Sequence, residues 1–183
     1  MTKAKKRLLT LLLAMVMAVG MAVPTFAADY TNGLAGKEYF YQSYGGQTGC
    51  GYLNAYPING NPVQKGTPLR IWARTSSSDQ RFKGYTSSGG YLTLRVQTAP
   101  PNGSKYTLMI NRDKDTGNAI LWSGSTAYFD SNLMCTGSYA SGYRFRLANY
   151  DGQYLNATGG GNSAIINFTT GVGSSTSSLW KAR

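Results

Sequence analysis

The sequence lacks histidine and contains only one glutamate, Glu38, among its seven acidic residues. The catalytic triads and zinc sites that depend on imidazole are therefore excluded. Glycoside hydrolysis needs two carboxylates on opposite sides of a cleft, and none of the seven acids lies in a recognisable motif for it. We therefore predict a protein that is not an enzyme and that has no catalytic residues, metal site or cofactor.

One segment, residues 111–117, places oxygen-bearing side chains at alternate positions, as calcium-binding loops do. Its glycine comes late, at Gly117, cations separate the acids, and the twelfth position is Trp122 instead of glutamate. These departures favour a polar hairpin turn over a calcium site.

The first 27 residues differ from the rest of the chain. A basic stretch at residues 3–7 precedes an apolar run from Leu8 to Val23, and small residues follow up to Ala27. These three parts are typical of a secretory signal peptide. A transmembrane helix is the alternative, but the run is short for a span of about 20 residues. We therefore expect a signal peptide over residues 1–27, a secreted, extracellular protein and no stable membrane insertion.

Lysine and arginine are also unevenly distributed. Four of the 18 lie in the signal segment and all seven acids follow it, which leaves a formal charge of +7 on residues 28–183. There the cations stand singly, from Lys37 to Arg183, without the basic run that favours nucleic acid. The pattern favours solubility and weak attraction to anionic polymers outside the cell, and it predicts no nucleic-acid partner.

The two cysteines, Cys50 and Cys135, lie far apart in the chain. An oxidising destination would allow a disulfide between them, and two buried free thiols would give the same sequence. Neither has a partnering base or Cys-x-x-Cys spacing, which argues against thiol chemistry. Both interpretations stay open.

Helical periodicity is missing after Ala28, and short strand-like runs recur in groups of four, about 40 to 50 residues apart. Tyr-Leu-Asn-Ala at residues 52–55 returns at residues 154–157. One four-stranded unit cannot bury its apolar face alone, whereas three around an axis enclose a common core. We predict an all-β protein, a single β-trefoil domain over residues 28–183 with three four-stranded units around a pseudo-threefold axis. The units span about 38–86, 91–136 and 143–183.

Three segments of the first unit carry a recognisable pattern. They read Cys-Gly-Tyr-Leu-Asn-Ala at 50–55, Gly-Thr-Pro-Leu-Arg-Ile-Trp at 66–72 and Asp-Gln-Arg-Phe at 79–82. This unit resembles the ricin-B type (R-type) lectin repeat, whose pattern is Gly-x-Cys-Leu-Asp-Val, Gly-Thr-Pro-Val-Gln-Leu-Trp and Asn-Gln-x-Trp. Ser-Ser-Leu-Trp at 177–180 is a weaker form of the closing motif. The resemblance is strong in the first unit and loose in the second.

The resemblance implies sugar binding without catalysis, through one shallow pocket in each unit. In such a pocket a carboxylate accepts hydrogen bonds from sugar hydroxyls, an aromatic ring stacks on the pyranose, and amides fix its orientation. In the first unit these positions fall on Asn54, Arg70, Trp72 and Asp79. Asn54 stands in place of the acid, and Arg70 and Asp79 stand in place of amides. An ion pair between Arg70 and Asp79 would fill the pocket, whereas a free guanidinium there would select an acidic sugar.

The other two units are less favourable by this alignment. The matching positions in the second unit are Met109, Ile120, Trp122 and Ser131, which do not suit a sugar. The matching positions in the third unit are Asn156, Ile166, Phe168 and Ser177. Asn156 and Phe168 are therefore the two candidate ligand-binding residues outside the first unit.

Two functions are consistent with these observations. The first is a secreted, non-catalytic carbohydrate-binding module that recognises an extracellular glycan or a cell-surface polysaccharide. The alternative is a module for a protein partner, such as an inhibitor, adhesin or toxin component, because a fold does not fix a function and the sugar positions are degenerate. An open pocket with an aromatic floor at Trp72 favours the glycan, whereas an ion pair between Arg70 and Asp79 favours the protein partner.

Overall fold

Twelve short β-strands make up the regular structure of this computed structural model within the residues that it describes, 29–45, 51–57, 60–123 and 129–183. The predicted signal peptide and Cys50 lie outside these ranges. In the described part, no helix is long and apolar enough to cross a bilayer. The strands are β1 (Glu38–Ser43), β2 (Tyr52–Ala55), β3 (Leu69–Trp72), β4 (Arg81–Thr86), β5 (Leu92–Val96), β6 (Leu108–Arg112), β7 (Ala119–Ser123), β8 (Leu133–Ser138), β9 (Gly142–Leu147), β10 (Tyr154–Ala157), β11 (Ile166–Thr169) and β12 (Trp180–Ala182).

Six of the strands close into a barrel. In the order β1, β4, β5, β8, β9 and β12, each pairs antiparallel with the next, and β12 pairs with β1. Closure leaves no unpaired strand edge in this part of the sheet. Inward-facing apolar side chains alternate with outward-facing polar ones, as in β4, where Phe82 is fully buried between Arg81 and Lys83.

The other six strands form three hairpins, β2–β3, β6–β7 and β10–β11, and neighbouring hairpins meet around one axis. One backbone hydrogen bond recurs at each of the three contacts, with an N–H in the second strand of one hairpin donating to a carbonyl of the next hairpin. The three bonds are Ile71 to Ala164 (2.9 Å), Leu121 to Thr67 (2.8 Å) and Phe168 to Gly117 (2.8 Å). This repetition confirms the predicted β-trefoil and makes Ile71, Leu121 and Phe168 equivalent positions.

The units also share a core position at the start of their fourth strand. Phe82, Leu133 and Trp180 have matching cross-strand partners and are fully buried. The indole N–H of Trp180 donates to the carbonyl of Leu155 at 2.9 Å, so its one polar group is satisfied inside the core. Truncating such an aromatic side chain typically costs 3–5 kcal/mol of stability.

Cys135 lies on β8 with its sulfur buried. Burial raises the pKa of this thiol to about 12, so it is protonated and unreactive near neutral pH. Because Cys50 lies outside the described residues, the disulfide between the two cysteines stays a prediction.

Candidate functional site

In the first unit, the register of the β2–β3 hairpin brings the predicted site residues onto one face. Asn54 lies opposite Arg70, and Tyr52 lies opposite Trp72, while the alternate residues point into the core. Trp72 is half-buried and packs against Tyr56, with ring centroids 5.3 Å apart. The hairpin therefore presents an indole beside a carboxamide, as the lectin resemblance implies.

Arg70 and Asp79 do not form an ion pair. Arg70 Nη1 donates to the carbonyl of Ser163 at 3.4 Å, in the β10–β11 loop of the third unit, whereas the Asp79 carboxylate accepts a hydrogen bond from the Thr98 hydroxyl. Among the described residues the ion pairs are Arg81–Glu38 and Arg146–Asp151. The candidate site of the first unit is thus not closed by the charge pair that would favour a protein partner.

Gln80, which lies next to this site, has a structural role. Its side chain is fully buried; the amide donates to the carbonyl of Ala73 at 2.8 Å and accepts from the N–H of Thr75 at 2.7 Å. These bonds hold the loop after Trp72 against the barrel. Asn162 adds a contact from the third unit, since its side-chain oxygen accepts from the N–H of Ala73 at 2.8 Å.

In the third unit, the structure separates the two predicted residues. Asn156 lies opposite Asn167, just as Asn54 lies opposite Arg70. Phe168 lies opposite Leu155 in the hydrophobic core and is only 4% exposed, so its ring is not available to a sugar. The prediction for Phe168 is wrong because the alignment was displaced by one residue, which turns a strand side chain to the other face of the sheet. The true equivalent of Trp72 is Thr169.

The second unit also needs a corrected alignment. On the β6–β7 hairpin, Asn111 lies opposite Ile120, so Asn111 and not Met109 is the equivalent of Asn54. Asp130 precedes Leu133 by three residues, as Asp79 precedes Phe82, so Asp130 and not Ser131 is the equivalent of Asp79. Sequence reasoning missed both residues, although an aliphatic residue followed by asparagine recurs in all three units, at 53–54, 110–111 and 155–156.

The three equivalent asparagines are all largely buried, with 6–8% exposure, and each carboxamide is held by a local hydrogen bond. In the second unit, the Asn111 amide donates to the carbonyl of Arg112 at 2.7 Å and accepts from the Ser131 hydroxyl at 2.7 Å. In the third unit, Asn156 accepts from the Ser177 hydroxyl at 2.6 Å. The asparagine is thus a fixed polar group in every unit.

A cavity of about 490 Å³ opens at the second unit, which the alignment had made the least suitable for a sugar. It is lined by Asn111, Ile120, Trp122 and Asp130, the corrected site positions, together with residues 112–115. Its volume lies within the range of small-ligand sites. The cavity therefore coincides with the repeat-equivalent site.

A polar turn at residues 113–117 borders this cavity. Asp113 accepts the N–H groups of Asp115 and Thr116 at 2.9 and 3.2 Å, which forms a polar turn completed by Gly117 at φ +74°. In the described part of the chain, no three side chains are grouped as a metal site would require. Residues 113–117 form a hairpin turn that is held by these hydrogen bonds.

Asp130 and Trp122 each interact with a residue from another part of the fold. A hydrogen bond to Asp130 raises the pKa of the Tyr150 phenol, because the carboxylate favours the protonated hydroxyl. The β2–β3 loop of the first unit brings Lys65 over Trp122, with Nζ 3.7 Å from the ring centroid. The indole is thus in contact with a residue of the neighbouring unit, and the carboxylate lies near Tyr150.

Comparison with known proteins gives no match to any family model or curated protein. Solved structures do match. A β-trefoil lectin of the Vibrio vulnificus hemolysin/cytolysin, with N-acetyl-D-lactosamine bound, is 16% identical with a TM-score of 0.58, over 79% of this chain and 92% of that one. The C-half of an earthworm R-type lectin in complex with GalNAc is 12% identical with a TM-score of 0.53, over 80% and 99%.

A mosquitocidal holotoxin is also similar, at 13% identity and a TM-score of 0.63 over 81% of this chain, which spans only 17% of that protein. The likeness is one of fold. At these identities the β-trefoil of the R-type and ricin B-like lectins is shared, while the ligand of this chain has to be argued from its own residues.

Proposed function

We propose that the protein is a secreted, non-catalytic carbohydrate-binding module whose main site is the cavity of the second unit. One observation carries this proposal: the cavity is lined by the same repeat positions that form the candidate site of the first unit. The position where the repeat presents its candidate side chains is therefore also where the second unit is open to a ligand.

The side chains of the cavity have the chemistry that a pyranose requires. Trp122 offers an indole for the apolar face of the ring, and the Asp130 carboxylate and the Asn111 carboxamide offer hydrogen-bonding groups for hydroxyls. Ile120 stands where the lectin pattern has an amide, so it provides an apolar wall. Hydroxyl recognition therefore depends on Asp130 more than on any other residue of the cavity.

The first unit provides a second, weaker site. Trp72 and Asn54 share one face of the hairpin, and the absence of an Arg70–Asp79 ion pair within the described residues favours a glycan over a protein partner there. Two weak sites on one rigid domain would raise the affinity for a polymer through avidity. The third unit lacks an aromatic ring at the matching position, Thr169, and we assign it no site.

A glycan array tests the proposal, with GalNAc and N-acetyl-D-lactosamine included because two similar structures contain them. For the glycan that is selected, calorimetry on the Trp122→Ala variant should show a loss of about tenfold or more, since stacking and burial on the indole are lost. The Trp72→Ala variant serves as the matched control and should lose less.

Two outcomes would contradict the proposal. If Trp72→Ala removes binding while Trp122→Ala leaves it unchanged, the main site lies in the first unit. If the folded protein binds no glycan on the array, the carbohydrate function is wrong and the protein-partner alternative is favoured. Circular dichroism of both variants establishes that they are folded.

A further inference from the structure

Cations that are scattered along the sequence gather on the outward face of four neighbouring barrel strands, β12, β1, β4 and β5. We call this surface the basic face; its cations are Lys181, Arg183, Arg81, Lys83, Arg95 and, from the loop after β3, Arg74. The one carboxylate on these four strands is Glu38. Strands that are far apart in sequence become neighbours when the barrel closes, which is why no basic run announces this surface.

The charges on the basic face are not balanced within the protein. Glu38 is committed to Arg81, at 3.5 Å, and also accepts hydrogen bonds from Tyr106 and Gln97. Lys83 lies between Glu38 on β1 and Arg95 on β5, so one cross-strand neighbour attracts it and the other repels it. Among the described residues, none of the cations of this face other than Arg81 has a carboxylate partner. The face therefore carries more cations than its one carboxylate can neutralise.

Arginines on the opposite side of the barrel are different. On β9, Arg144 donates to the carbonyl of Ser175 at 2.7 Å, and Arg146 pairs with Asp151 at 3.0 Å. Those guanidinium groups are bound within the chain. The basic face is thus the part of the barrel whose cations are left to an external anion.

Aromatic rings hold these cations apart in fixed positions. Tyr85 lies between Lys83 and Arg95, whose charged groups are 5.7 and 4.7 Å from the ring centroid. Phe40 lies between Arg74 and Arg81 in the same way, at 5.1 and 4.9 Å. Each ring thus has two cations within about 6 Å of its centroid, and it helps to fix their positions. The fitting partner therefore carries many anionic groups.

We propose that the basic face binds a linear acidic polysaccharide, one that carries sulfate or carboxylate groups along its length. Guanidinium groups form paired hydrogen bonds with such oxyanions, and strand neighbours about 4.8 Å apart present the cations as a two-dimensional array. None of the residues that line the second-unit cavity belongs to this face. The two surfaces are therefore separate, and either assignment can fail without the other.

Surface-immobilised dextran sulfate, with neutral dextran as the reference, tests this proposal on the secreted protein. The protein should bind dextran sulfate and not dextran, and the affinity should fall steeply as salt is raised. The Lys83→Gln variant should bind about fivefold more weakly, and the Lys83→Gln/Arg95→Gln variant about thirtyfold more weakly. The matched control is Arg146→Gln, which removes one outward-facing barrel cation from the other side and should change the affinity by less than about twofold.

Two outcomes would overturn the proposal. Equal losses for Lys83→Gln and Arg146→Gln would show that only net charge matters. Binding to phosphatidylserine vesicles or to single-stranded DNA as strong as that to dextran sulfate would show a general anion surface. The Lys83→Gln change removes an attraction to Glu38 together with a repulsion from Arg95, so we expect little change in the melting temperature. Arg183→Gln, at the exposed chain end, provides a second variant that cannot disturb the core and should also weaken binding.

Discussion

The second and third units each have an asparagine at the equivalent position of their hairpin, yet the cavity described above opens at the second unit. In the second unit Asn111 is joined by Trp122 and Asp130 around open space. In the third unit Asn156 is bonded on both sides, as Asn111 is in the second. Thr169 and Ser177 stand there in place of Trp122 and Asp130. The comparison teaches that a repeated polar residue marks a scaffold position, and its neighbours decide whether the position is open to a ligand.

The largest expected effect separates Trp122 and Phe168, the two aromatic residues that the sequence alignment placed at matching positions of the second and third units. The Phe168→Ala variant should lose about 3–5 kcal/mol of unfolding free energy, because it leaves a void in the core of the third unit. The Trp122→Ala variant should lose much less, because its ring is half-buried at a cavity. Urea denaturation of both variants measures the difference. Similar losses for the two would break the distinction between the units.

A smaller effect distinguishes the two serines that hold the asparagines. Ser177→Ala and Ser131→Ala each leave a largely buried carboxamide oxygen without its donor, which costs about 1–3 kcal/mol. Only Ser131→Ala should also weaken glycan binding, because Asn111 lines the cavity. Stability and calorimetric affinity are measured on the same pair. A loss of affinity in Ser177→Ala would show that the third unit takes part in binding.

The smallest effect concerns ionisation beside the cavity. Asp130→Asn removes the carboxylate that raises the pKa of Tyr150, so that pKa should move down toward the ordinary tyrosine value. Asp79→Asn, the equivalent change in the first unit, is the control and should leave Tyr150 alone. NMR titration of ring-labelled tyrosine follows the change. An unmoved Tyr150 in Asp130→Asn would mean that the two side chains do not interact in solution.

The fold followed from the sequence because the three units repeat short apolar and aromatic runs at similar intervals. Asn54 and Asn156 were placed correctly because Tyr-Leu-Asn-Ala occurs in both units. Asn111 was not placed correctly, because the hairpin loops differ in length between the units. The asparagine and its cross-strand partner are sixteen positions apart in the first unit, nine in the second and eleven in the third. Hydrogen-bond register, which sequence spacing does not encode, decides the equivalence.

The basic face shows a second limit of sequence reasoning. Its cations come from the end of the chain and from the first and second units, and barrel closure places β12 beside β1. Along the sequence these cations stand singly, whereas in the folded sheet they lie on neighbouring strands. The packing of neighbouring hairpins likewise brings Lys65 of the first unit over Trp122 of the second, so a site of one unit is completed by its neighbour.

The three tryptophans allow the most direct test of the claim that the second unit holds the main glycan site. Their indole N–H signals in a nitrogen-15 NMR spectrum can be assigned with single Trp-to-Phe variants and followed during titration with the glycan that the array selects. The Trp122 signal should shift saturably, Trp72 should shift at higher concentration, and Trp180, bonded to Leu155 in the core, should stay fixed. A bound glycan that leaves the Trp122 signal unmoved would contradict the account.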